Sequence, residues 1–301
     1  MQAAFVASVM RAACLAAVFA AAAAAGGCRW GLVGVTNVTA EPLRGASSEG
    51  LAALPDGAFA FNGDSSFAIA DPVTLVVKTF RERVTPPERF AAKGYRHTGD
   101  VDYAAALRAL VAPISGWPNA SVPPAFVAVD VATLDTVPEK LLCVARSGGQ
   151  VFAPWVAVAK FDGDHPADGH GSDFQFYSSD YDIAAHLHEY APPSSPGEEC
   201  RHVRALPLSM ALVGVQGGVA WNSTTLLLAC DDECVYSVDT RTGAVETALC
   251  LWALGAAALH ELEGLAFADL RRDGLGRLHL STGDFARPRD APRPIFHLDC
   301  V

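Results

Sequence analysis

The chain has 301 residues, with 22 Lys and Arg against 33 Asp and Glu and a formal net charge of −11. That balance excludes a nucleic-acid partner, which needs a clustered basic face. Low charge density with 26 Gly and 19 Pro excludes a coiled coil and a disordered chain, leaving a turn-rich globular protein long enough to bury a full core. At the start, residues 1–25 read as a secretory signal. Arg11 precedes an apolar stretch from Ala12 to Ala25, and small residues offer cleavage sites before Gly26. The strongly apolar run of about 14 residues is shorter than the ~20 that span a bilayer. The expected organisation is a signal over 1–25 and one domain over 26–301, secreted, without a transmembrane span and monomeric. Three sequons, at Asn37, Asn119 and Asn222, mark candidate glycosylation sites on a secretory route.

Helical signals are scarce after residue 25, while short apolar runs bounded by Gly, Pro, Asp and Asn recur throughout, the pattern of many short strands. The runs repeat. Glu49-Gly50-Leu51-Ala52 leads into Ala58–Phe61, and Glu263-Gly264-Leu265-Ala266 leads into Arg277–Leu280. Looser copies start near 98, 153 and 217. A spacing of roughly 45 to 65 residues is that of a four-stranded propeller blade with its loops. Within the units a hairpin signature recurs as Phe67–Leu75, Phe126–Leu134 and Val235–Gly243, where Tyr236 is expected to pack between sheets and Gly243 to supply a positive φ. The fold class is therefore all-β: a β-propeller with five countable four-stranded blades, or six if the long third unit holds a degenerate one.

The last unit runs out after three strands, and a spare strand, Trp30–Asn37, precedes the first. Placing it as the outer strand of the last blade closes the ring and removes an open edge. Antiparallel pairing with Pro294–Cys300 would then bring Cys28 to Cys300, an expected disulfide. An oxidising compartment makes further bridges expected. Cys143 is paired with Cys200 across blades and Cys230 with Cys234 as a hairpin staple, which leaves Cys250 odd.

These blade motifs, above all Glu263–Phe267 followed by Arg277–Asp284, resemble the extracellular β-propellers related to gluconolactonase and regucalcin, strictosidine synthase-like proteins and esterase-like phytases. In the gluconolactonase-like group a Glu on the first blade and an Asn/Asp set on later blades hold a divalent metal. Glu49 is similar to that Glu, whereas Gln216 stands near the place of a ligating Asn. The resemblance implies fold more than activity.

The repeat phase places Glu49, His97, Asp100, Asp102, Gln216, His260 and Glu263 at blade entrances facing one channel rim. Carboxylates converging there suit Ca²⁺ or another divalent cation, with Glu49, Asp100 and Glu263 as its ligands. The plainer alternative is that these side chains bond neighbouring backbone amides and hold nothing. Residues 162–173 are dense in Asp and His but lack the closing Glu of a calcium loop, and read as a solvated connection. His186 and His188 alternate on one strand face at a blade surface. No nucleophile elbow, phosphate loop or dinucleotide fingerprint is present. The expected function is a non-catalytic binder of a small molecule, glycan or protein at the channel rim. The alternatives are a divalent-metal-dependent hydrolase of ester, lactone or phosphoester bonds, and a structural wall component.

Overall fold

A computed structural model of the chain describes residues 29–85, 88–159, 174–256, 261–283 and 291–300. The chain opens with β1 (Trp30–Val38), set aside for the end of the ring. The first blade is β2 (Gly50–Ala53), β3 (Phe59–Asn62), β4 (Phe67–Ala70) and β5 (Val77–Arg81). In the second, β6 (His97–Thr98) and β7 (Asp102–Ala104) share the innermost position. Both pair with β8 (Ala109–Ser115), followed by β9 (Ala125–Asp130) and β10 (Leu142–Val144). The third blade is β11 (Ala157–Ala159), β12 (Gln175–Ser178), β13 (Ile183–Ala191) and β14 (Arg201–Val213). The fourth is β15 (Val215–Asn222), β16 (Thr225–Cys230), β17 (Cys234–Asp239) and β18 (Val245–Cys250). The fifth is β19 (Glu261–Phe267), β20 (Leu278–Gly283) and β21 (Arg293–Cys300), completed on its outer side by β1. The innermost strands contact one another in the closed order β2, β7, β11, β15, β19 and back to β2.

The protein is thus a five-bladed β-propeller. The third unit hides no sixth blade among the described residues, its length being taken up by the long β13–β14 hairpin and by residues 160–173, which lie outside them. The N-terminal strand closes the ring as expected, in antiparallel register from Trp30 opposite Cys300 to Val38 opposite Arg293. Cys300 is disulfide-bonded, and Cys28, its expected partner, lies outside the described residues. The strand on the closing edge is also tied by a side-chain chain: Ala268 O to His279, His279 to His297 at 2.8 Å, and His297 to Thr36 on β1 at 2.9 Å.

The recurring hairpin has one physical basis in its three copies. The carboxylates of Asp71, Asp130 and Asp239 each accept from two backbone N–H groups and a Thr hydroxyl two or three residues on. That capped turn delivers the next residue into a left-handed conformation. Gly243 takes it freely at φ 72°, while Leu75 and Leu134 are forced to φ 56°. Between blades lie five apolar cores, typified by Phe67 with Leu110, Phe126 with Phe176 and Tyr190, Trp155 with Leu228, Trp30 with Leu280, and Phe59 with Ile295. Each fully buried large side chain contributes roughly 1.5–3 kcal/mol.

Two cysteine expectations meet different ends. Cys143 is bonded to Cys200 across blades. The Cys230–Cys234 staple is not formed. Cys234 sits directly opposite Cys250 in the β17–β18 ladder and bonds to it, while Cys230 is a buried free thiol in the apolar layer between the third and fourth blades. Cys250 is therefore not odd. His188 is buried rather than on a blade surface, although His186 on the same strand is exposed.

Candidate functional site: the channel and its mouth

The channel is governed by one side chain. Asp100 is fully buried, with each carboxylate oxygen accepting two backbone N–H groups. Oδ1 takes Leu51 and Val101 at 2.9 Å; Oδ2 takes Gly218 at 3.0 Å and Leu265 at 3.4 Å. Its own N–H donates to Pro154 O at 2.8 Å, and its carbonyl accepts Val156 N–H at 3.1 Å. All five inner strands or their lead-ins thus meet at Asp100. This explains the repeated Gly after the acidic residue: a Cβ at Gly50 would lie 2.7 Å from Asp100 Cα, and one at Gly264 would lie 2.5 Å from Leu51 N. Burial raises the Asp100 pKa well above the ordinary carboxylate value, and the Leu51, Gly218 and Leu265 N–H groups pull it back. A carboxylate has about four lone-pair sites, and four donors occupy them, so the metal-ligand role expected for Asp100 has no free lone pair. Asp102 also accepts from backbone amides, those of Tyr103 and Val158 at 2.7 and 2.8 Å. For Asp100 the geometry favours the plainer reading, in which the side chain bonds neighbouring backbone amides.

The amides that Asp100 gathers lie two residues after Glu49, Gln216 and Glu263. All three of those side chains line one cavity of about 280 Å³ at the channel mouth. His97, from β6, joins them. His260 lies outside the described residues. The repeat phase therefore brings four of the seven expected residues together, and it uses the hub to hold three of them at one level.

The cavity also contains residues outside the expected set. Glu261, which also lines the cavity, accepts from Gln216 at 2.6 Å. Asp64, from the β3–β4 turn, bonds His97 Nδ1 at 2.7 Å. Trp117, Phe152 and Tyr181 form an aromatic wall, with Trp117 edge-on to Phe152 at 5.0 Å and to Tyr181 at 5.4 Å between centroids. Asp64 and the aromatics come from connections between strands, where the repeat carries no phase.

Electrostatically the mouth is acidic. Burial raises the Glu49 pKa to about 8, opposed by His97 and Arg293 and reinforced by Asp64 and Glu261. Burial together with Glu49, Glu261 and other acids also raises Glu263 well above its ordinary value, and its Oε1 is buried with no hydrogen-bond partner. For His97, burial works to lower the pKa, but the hydrogen bond to Asp64 and the charges of Glu49 and Asp64 outweigh it, so the value is raised. Since a carboxylate only accepts, His97 donates Nδ1–H to Asp64, which leaves Nε2 facing Glu49 Oε2 at 3.6 Å. Glu49, Asp64 and His97 also offer ligand atoms within 4.8 Å of one another, a mixed imidazole–carboxylate set able to hold a divalent ion.

No family model and no curated protein matches the chain. Among solved structures it is similar to the PQQ-bound form of an aldose sugar dehydrogenase from Streptomyces coelicolor, at 14% identity over 89% of this chain and 99% of that one, with a TM-score of 0.44. It is also similar to a structure described as an oxidoreductase (glucose dehydrogenase) from Thermus thermophilus, at 13% identity over 88% and 99% of the two chains, with a TM-score of 0.43. The likeness stops at fold. It does not extend the sequence resemblance to the gluconolactonase-like group. One expectation is corrected: the structures this chain is similar to are described as dehydrogenases, and the readings as a non-catalytic binder, a hydrolase or a wall component are not carried forward.

Proposed function

We propose that this chain is an enzyme performing general acid–base chemistry on a small polar molecule held in the channel-mouth cavity. The observation that carries the reading is the Asp64–His97–Glu49 arrangement beside the buried Glu263. Asp64 fixes the imidazole tautomer, so the Nε2 lone pair faces the cavity as the base. Glu263, kept neutral by burial, holds a proton that it gives to a developing oxyanion. Two groups of opposite proton load facing one cavity are the pattern of acid–base sites. The cavity volume, about 280 Å³, suits a small substrate.

PQQ, named in one of the two structures, does not fit this cavity. It is a polycarboxylate, and the described lining residues include Glu49, Glu261 and Glu263 but no Lys or Arg. A divalent ion on Glu49, Asp64 and His97 would fit the donor set but would take the imidazole lone pair that the base needs, so metal binding and acid–base work at His97 exclude each other. The secreted route expected from residues 1–25 is retained as part of the proposal, supported by the exposure of Asn37, Asn119 and Asn222.

Incubating the protein in D₂O with a panel of small polar metabolites and following deuterium incorporation by NMR tests the reading. Exchange should rise with pH through the raised His97 value and fall where Glu263, the proton donor, ionises, well above the ordinary glutamate range. His97→Asn should slow it by about 100-fold or more. Exchange that is equal in His97→Asn would overturn the assignment of the base.

A further inference from the structure

We propose that the molecule taken into this cavity carries a cationic ammonium group, seated between the rings of Trp117, Phe152 and Tyr181 and the carboxyl groups of Glu261 and Glu263. The inference rests on the acid–base reading and names its substrate class. Three observations support it. First, the described lining residues hold three carboxyl groups and no Lys or Arg. Arg293 acts on Glu49 but does not line the cavity. The one lining group able to become cationic, His97, already has its charge met by Asp64 at 2.7 Å. An anionic ligand would face carboxyl oxygens and no cation; an ammonium group would find hydrogen-bond acceptors there, including the carbonyl oxygen of Glu263 in its neutral form.

Second, the aromatic wall is exposed where a soluble protein usually hides such surface. Trp117 is 39% exposed, although its edge contacts to Phe152 and Tyr181 hold it firmly in place. An ammonium within about 6 Å of a ring centroid is attracted by the ring quadrupole, most strongly by Trp. Third, Glu263 Oε1 is buried without a partner. A buried unpaired polar atom is costly and calls for an explanation. An ammonium donor or its charge supplies the missing partner, and the neighbouring Glu261–Gln216–Asp231–Tyr181 network fixes the surrounding acceptors. A neutral polyol would stack on the same wall and donate hydroxyls to the carboxyl groups, but it lacks the cation–π attraction that the rings offer an ammonium.

The test uses the purified full chain, with binding read by calorimetry and tryptophan fluorescence. The probes are choline and tetramethylammonium, glucosamine, and the neutral counterparts 3,3-dimethylbutan-1-ol and glucose. The ammonium compounds should bind about tenfold or more tighter than their neutral counterparts. Trp117→Ala and Glu263→Gln, each confirmed folded by near-ultraviolet circular dichroism, should weaken ammonium binding by a similar factor. Equal or tighter binding of the neutral compounds, absence of ammonium binding up to millimolar concentration, or binding unchanged in Trp117→Ala would overturn the proposal. His97→Asn separates it from the reading beneath it. Deuterium exchange that depends on His97 in a protein without ammonium preference defeats the cation proposal alone. Ammonium preference retained in a protein whose exchange ignores His97 supports the cation proposal and defeats the base assignment alone.

Discussion

Glu263 shows how a single side chain is held in an unfavourable state for use. It is fully buried, surrounded by other acids, and one of its oxygens has no partner. Burial and the surrounding acids raise its folded-state pKa well above the ordinary glutamate value, and burial raises that of Glu49 to about 8. For such groups the folded chain keeps its proton longer than the unfolded chain. Their contribution to stability is complete below the unfolded value and is lost as pH rises through the folded one. Glu263→Gln keeps the neutral shape and removes this loss. Its melting temperature should therefore fall less than that of the wild type as pH rises above the unfolded glutamate value of 4.5. Parallel decline of the two proteins in thermal melts would show that Glu263 already ionises freely in the folded chain.

The inner strands act as one element through Asp100, and much of that arrangement was readable. The repeated acid-Gly-Leu pattern has a physical cause, because the glycine admits a neighbouring backbone and the amide one residue later bonds the hub. The same phase put Glu49, Gln216 and Glu263 on one rim. What it could not show was that Asp100 spends its carboxylate on four backbone amides. An acidic residue facing a channel looks alike in sequence whether it holds an ion or five strands. Asp100→Asn replaces an acceptor with a donor opposite two N–H groups and should cost about 3 to 5 kcal/mol. Urea unfolding measures it; a loss under about 1 kcal/mol would mean that the blades, not the hub, hold the inner strands in register.

At the scale of the whole molecule, closure of the ring by β1 was legible because a chain that ends a strand short must find one elsewhere, and Trp30–Val38 was the spare. The disulfide partner of Cys250 was not, because ladder register decides it: Cys234 stands opposite Cys250, while Cys230 turns into an inter-blade core. The chemistry of the mouth was only half legible for a related reason. Glutamates on inner strands obey the repeat, whereas Asp64, Trp117, Phe152 and Tyr181 arrive on connections whose path only the folded ring defines. The central claim is that Asp64 and Glu49 make His97 the base of a proton-transfer site, and NMR titration of the His97 ring in the wild type and in Asp64→Asn tests it most directly. The account requires a pKa above 6.5 in the wild type and a fall on removing the Asp64 charge. A wild-type value at or below 6.5 that Asp64→Asn leaves unchanged would contradict it.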